Sequence, residues 1–444
     1  MVIWVLSSTV SALSNSAFIQ EQPIEVNKST TYEVLIRAND ASANGTWTTV
    51  PLYSAIVAEI NATTRSSKKY STQFGVFDYD GTVQVSVTPN PTIFPVLSSV
   101  RIRPLSYGIL PDPCNNIVVE VNDDIFNVVH LFTSEIETDP IAEQEAANRS
   151  DLVYYGPGYH ELPGQLNLTS GQTLVAGTAV SIVNASDIAV RGRGFLSAAI
   201  SIQYSSNIII DGAFVSTGGF LVAQSQLIHA RGWRSITSHQ WGDGMDIYCS
   251  QDVLVEKVFI RSSDDCIALY QHRNDWWGNS SNITVRDPSL WADIAHPINV
   301  GTHGNPLSPE TMDGVTFRNI DILDQREPQI NYEGTIAFSI GDENSVQNVE
   351  IDDIRSNNAP GRGLKIVTVK DMAYNSDKSN GHTINTAAIY SYAEDCSVDF
   401  VDFQGLTING LHVWDNMTKP SWYVTTDYVP AVVGSFVNNL TFSA

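Results

Sequence analysis

The chain has 444 residues, of which 43% are hydrophobic and 16% charged, and its formal net charge is −24. That length asks for two domains or one large repetitive one, and the apolar content excludes a disordered chain. So acidic a chain argues against nucleic acid, whose phosphates need a basic face, and disfavours a highly anionic polysaccharide.

In chain order, Val2 to Leu6 are apolar and precede the small-residue stretch Ser7 to Ala17. Residues 1–17 therefore read as a secretory segment that lacks the usual basic start, with a plain first strand as the alternative. Sequons at Asn27, Asn44, Asn61, Asn148, Asn167, Asn184, Asn279, Asn282, Asn416 and Asn439 also point to export. No apolar run approaches the ~20 residues that span a bilayer, so the expectation is a secreted, extracellular monomer with no membrane partner. Cys114, Cys249, Cys266 and Cys396 would allow up to two disulfides and show no zinc-type spacing.

Residues 18–140 hold short β-branched runs, among them Thr31 to Ile36, Thr82 to Val87, Val100 to Ile102 and Ile117 to Val121. Turn chemistry such as Asp80-Gly81 separates them, which predicts an antiparallel β-sandwich ending near Val128 to Phe132. The polar stretch Thr133 to Arg149 is the expected linker. From residue 150 to 444 the pattern becomes a repeat, a small polar residue followed by an apolar–x–apolar core, centred at 188, 208, 227, 253, 283, 315 and 349. Short strands at a period of 20 residues and more, without helical periodicity, predict a right-handed parallel β-helix. The repeat lengthens after residue 265, as if loops there were building walls around a groove.

The chemistry concentrates in residues 239 to 270. Gly242-Asp243-Gly244-Met245-Asp246 is followed one coil later by Ser262-Ser263-Asp264-Asp265-Cys266. On adjacent rungs, about 4.8 Å apart, Asp243, Asp264 and Asp265 cannot all ionise alike, because like charges drive their pKa values apart. One protonated acid beside one ionised base is what glycoside cleavage needs. Successive strand residues face opposite sides, so both Asp264 and Asp265 reach one cleft only if the backbone bends at Ser262-Ser263. Taken singly, a Gly-Asp-Gly is a turn and an Asp-Asp pair a solvated one. Around them stand Trp241, Tyr248, Tyr270, Trp276, Trp277, Trp291 and Tyr332, candidates for sugar stacking or for wall packing. His303 is the preferred histidine partner of the acids, with His239 and His296 behind it. Cys266 is expected to pack beneath the site.

These motifs resemble the parallel β-helix glycosidases that include polygalacturonases and the dextranase/isopullulanase family (glycoside hydrolase family 49). Asp243-Gly-Met-Asp246 is similar to a polygalacturonase Asn-Thr-Asp-Gly-x-Asp motif without its Asn-Thr. Asp264-Asp265-Cys266-Ile267 matches the Asp-Asp-Cys-Val/Ile motif, and His303 resembles the Gly-His-Gly histidine. The sandwich, the Ile102-Arg103-Pro104 junction and Ser281 to Arg286 with Trp291 bring the chain nearer the dextranase side. The resemblance implies hydrolysis of a polysaccharide with inversion and without a cofactor. Asp264 would be the general acid, and Asp243 with Asp265 would activate water. His303, Asp246, Trp241, Tyr270, Trp276, Trp277, Arg273 and Tyr332 would bind substrate. The Arg-x-Lys motif that grips pectin carboxylates is not evident, Arg362 to Lys365 being a poor substitute, so an α-glucan such as dextran or pullulan is favoured. The rivals are a pectin hydrolase, a calcium-dependent lyase with Arg261 as the nearest base, and a non-catalytic carbohydrate-binding β-helix.

Overall fold

The structure, a computed structural model, describes residues 2–7, 16–19, 26–38, 46–61, 64, 66–104, 116–137, 145, 148–155, 166–170, 173–175, 180–196, 199–327, 334–340, 342, 344–356, 367–370, 373–374, 388–389, 394, 397–408, 411–417 and 432–444. Among them every named element is a strand. Cys114, Cys396, Tyr332 and Arg362 to Lys365 lie outside the described residues, as does part of the linker expected at Thr133 to Arg149.

The first part of the chain forms two sheets. In one, Val2–Ser7, Thr82–Pro89, Tyr32–Ala38 and Thr48–Val50 lie side by side, antiparallel. In the other, Ser16–Ile19, Ser67–Asp80, Val129–Ser134, Asn116–Val121 and Val100–Arg103 follow in order, with Tyr53–Ile60 also on Ser67–Asp80. Their alternation puts Val34, Ile36, Val83 and Val85 of one sheet in a common buried cluster with Phe77, Val119, Val121 and Leu131 of the other.

The rest winds as a coil of parallel strands. Inward residues of the first face stack in one column: Ile188, Ile208, Ile228, Val253, Ile283, Val315 and Val349. The predicted centres match this column except that 228 replaces 227. Each rung near the site carries three strands, such as Gln251–Glu256, Phe259–Ser262 and Ile267–Tyr270. The apolar run Val253 to Ile260 is thus two strands, broken at Lys257 by a positive φ of 55°. Such left-handed corners recur, and after Gly, Asn and Asp tolerate them best. Asn207, Asn282, Asn319 and Asn348 occupy them, each donating Nδ2 to an Asp of the preceding rung (Asp187, Asp252, Asp287 and Asp313) at 2.5–2.6 Å. These repeating Asn residues are therefore structural. On the outer side, Asp211, Arg231, Glu256 and Arg286 alternate in sign down one column.

Three fully buried arginines join the coil to the first sheets. Arg261 makes a two-pronged pair with Asp293 (2.8 and 2.9 Å) and donates to the Ile125 carbonyl. Arg234 binds Asn116, Thr133 and Ser134, and Arg103 pairs with Glu120 and donates to the Leu323 carbonyl. Arg103 and Arg261 are paired with carboxylates and Arg234 is hydrogen-bonded to neutral oxygens, partners without which buried charge is costly. Trp291 is sandwiched between Arg103 and Arg261, with guanidinium carbons 4.9 and 4.2 Å from its ring. It belongs to this junction and not to the acid site.

Candidate active site

The third face of the coil holds Met245–Tyr248, Ile267–Tyr270, Ile298–Gly301 and Ile336–Ser339 in parallel. Met245, Ile267 and Ile298 stack, so the residues two positions earlier, Asp243, Asp265 and His296, align on successive rungs. The glycines beside Asp243 are demanded by that stacking. A Cβ on Gly244 would come within 2.6 Å of the Cys266 carbonyl, and one on Gly242 within 2.8 Å of the His239 carbonyl. Gly244 instead donates its amide to the Asp265 carbonyl at 2.9 Å. What reads as a turn is a close backbone approach that seats Asp243 against the next coil.

The bend expected after Ser262 lies at residues 263–266, between two strands. Thr237 and Ser263 fix it: the Ser263 amide donates to Thr237 Oγ1 at 3.0 Å and its hydroxyl to the His239 carbonyl at 2.7 Å. Asp264 and Asp265 thereby reach the same side, and one carboxylate oxygen from each of Asp243, Asp264 and Asp265 lies within 4.8 Å of the others.

Their protonation differs sharply. Burial, reinforced by Asp246, Asp264 and Asp265, pushes Asp243 up to about 9. Burial and Asp265 raise Asp246 to about 7 and Asp264 to about 6, with Glu327 adding to the rise at Asp264. Asp265 is the most deeply buried of the four. Burial alone would raise it too, but donors from His296, Asn299 and Tyr270 hold it below the usual carboxylate range. Its Oδ1 accepts from His296 Nδ1 (2.8 Å) and the His296 amide (3.0 Å). Its Oδ2 accepts from Asn299 Nδ2 (2.7 Å) and the Tyr270 hydroxyl (2.8 Å). One carboxylate is thus locked as an anion beside three that resist ionisation.

The histidine against the acids is therefore His296, not His303. His303 is bonded to Arg273 and meets the Tyr270 ring edge-on at 4.9 Å, while burial and Arg273 lower its pKa. His296 stands two residues before inward Ile298 as Asp243 stands before Met245, a register that the stacked rungs reveal. Asn299 and Glu327 carried no signal in the sequence. Tyr270 is nine-tenths buried and serves Asp265 through its hydroxyl, its ring stacked on Tyr248 (5.4 Å). Trp276 stacks on Tyr248 in turn (5.3 Å), whereas Trp241 and Trp277 are exposed by 73% and 63%. Arg273 stands beside Asp246 and the Tyr270 ring. Cys266 lies beneath, fully buried, its thiol accepting from Ser262 and pushed up by burial; it and Cys249 are free thiols.

A calcium ion, as a lyase would use, asks for several free carboxylate oxygens. Asp265 suits it poorly, since an ion there would have to displace donors that already engage both of its oxygens. Arg261, the base that the sequence motifs offered for such chemistry, is committed to Asp293 in the junction.

No family model matches the chain, and no curated protein does. Among solved structures it is similar to Dex49A from Penicillium minioluteum, with 11% identity over 96% of this chain and 100% of that one and a TM-score of 0.41. It is similar to a family 28 exopolygalacturonase of Yersinia enterocolitica (10% identity, 98% of each chain, TM-score 0.37). It is also similar to PfbA, a surface adhesin of Streptococcus pneumoniae (11% identity, 66% of this chain and 84% of that one, TM-score 0.36). Solved neighbours thus include glycoside hydrolases of the group that the motifs resemble. At these distances the chemistry rests on the site itself.

Proposed function

We propose that the protein is a glycoside hydrolase that cleaves a polysaccharide by acid–base catalysis, with Asp243, Asp264 and Asp265 as its catalytic residues. The observation that carries this reading is three carboxylates within 4.8 Å in unlike surroundings, Asp265 held as an anion by four hydrogen bonds and Asp243 and Asp264 pushed up by burial, beside exposed tryptophans. Asp264, at about 6, is matched to donating a proton near mildly acidic to neutral pH and protonates the leaving glycosidic oxygen. Asp243 and Asp265 together activate the water: the pair carries one proton between them and takes up the water's proton as a unit. Asp246 and Arg273 meet substrate hydroxyls, and Trp241 and Trp277 offer apolar ring faces to the sugars.

Within this reading the two N-terminal sheets form the sandwich, and the coil takes the right hand that parallel crossovers prefer. The substrate is a neutral α-glucan of the dextran or pullulan type. Four carboxyls around one engaged arginine suit an uncharged sugar better than a uronate. Displacement is inverting, and the protein works outside the cell, in keeping with its sequons. Reducing-end release from dextran, pullulan and polygalacturonate, with and without a chelator, tests the proposal. Release from a glucan that survives chelation supports it. An unsaturated, ultraviolet-absorbing product would replace it with a lyase, and no release with retained glycan binding would leave a binding module.

A further inference from the structure

We infer that Glu310 is the residue that sets the tryptophan-bearing wall of the active site. This rests on the glycosidase reading and extends it to how the polymer is held beyond the scissile bond.

The wall is a tight hairpin at residues 272–278. Arg273 and Trp276 exchange both backbone hydrogen bonds (3.0 Å each), and Asn274 takes the left-handed conformation, φ 54°. The loop's side chains lean inward at two points, Trp276 on Tyr248 and Arg273 on His303 and the Tyr270 ring, but neither contact fixes the two ends of the hairpin. Its two feet are held from the following rung. The buried Glu310 carboxylate accepts the His272 amide at 2.8 Å through Oε2 and the Gly278 amide at 2.7 Å through Oε1. A carboxylate that takes one amide from each end closes the hairpin as a clamp, and bonds to an ionised acceptor are the strong kind. Glu310 is itself anchored, since its carbonyl accepts the Ser345 amide at 3.0 Å. The clamped loop carries three candidate substrate contacts at once: Arg273 beside Asp246, Trp276 against Tyr248, and the exposed Trp277. Glu310 touches none of the acids. It is a positioning residue that acts through Trp277 on the binding of the glycan chain.

The test compares Glu310→Ala, Glu310→Gln and Trp277→Ala, and the Glu310→Ala/Trp277→Ala double variant, on the full-length protein. The glutamine keeps one acceptor oxygen and turns a donor toward the other amide, so it retains half of the clamp. Amide exchange at residues 272–278 should speed up by at least about tenfold in Glu310→Ala, with Glu310→Gln between it and wild type. On the polysaccharide cleaved by wild type, KM should rise roughly fivefold to tenfold in Glu310→Ala while kcat falls far less, with Glu310→Gln intermediate. Adding Trp277→Ala to Glu310→Ala should raise KM little further, because both remove the same contact. Unchanged exchange in Glu310→Ala, KM effects that multiply, or a loss confined to kcat would each overturn the inference. If wild type cleaves no glycan, the glycosidase reading fails on its own evidence, while the exchange data still decide whether Glu310 holds the loop.

Discussion

Replacing His296 with alanine should move the acidic limb of the pH–rate profile. The imidazole gives Asp265 one of its four hydrogen bonds, at 2.8 Å and with both partners almost fully buried. A bond to a charged group is worth about 1.5–3 kcal/mol, and one pKa unit is about 1.36 kcal/mol, so Asp265 should rise by roughly 1–2 units. If Asp265 must be ionised to activate water, activity is lost on acidification as it takes up its proton. In His296→Ala that loss comes at higher pH. The profile of kcat/KM against pH, which reports the free enzyme, should have its acidic limb displaced upward by roughly 1–2 units. Substrate binding at high pH should change little, since the His296 amide, Asn299 and Tyr270 remain. A limb that stays where it was, with activity lowered evenly across pH, would refute the role given to the His296–Asp265 pair.

Asp264→Asn should cut turnover by roughly 10²–10⁴-fold while glycan binding, read by intrinsic tryptophan fluorescence, survives; near-normal hydrolysis would remove Asp264 as the acid. Asp243, Asp246 and Asp264 are all easier to protonate folded than unfolded, so the folded state binds the extra protons and stability falls as pH rises from near 4 to about 9. Melting temperature should fall over that window, and Asp243→Asn should flatten the slope; a slope that persists in full would contradict the electrostatic picture. Asp265, with its lowered value, contributes in the opposite sense and only as pH drops through the acid range. Proton NMR of a fresh hydrolysate should show the β-anomer first from an α-linked glucan, whereas an initial α-anomer would mean covalent attack by a carboxylate. Gly244→Ala should cost about 1–3 kcal/mol in denaturant melts, because its methyl meets the Cys266 carbonyl of the next rung.

The repeat was legible in the sequence because a coil imposes the same physics on every rung. An inward apolar pair must recur, and many of the left-handed corners are filled by Asn or Asp, so the column from Ile188 to Val349 can be counted from the residues. The closeness of Asp243 to the Asp264–Asp265 pair followed from the same period. What the sequence could not carry is which side chain meets which across unequal loops. Loops of different length shift register by amounts that no local pattern records, so His303 looked nearer the acids than His296. Trp291 could be read as sugar platform or as packing, and Arg103 and Arg261 against its ring decide for packing. The split between Asp265 and its neighbours also belongs to the tertiary structure alone. It depends on burial and on donors from three places in the chain, Tyr270, His296 and Asn299, which only the stacked rungs bring to one carboxylate.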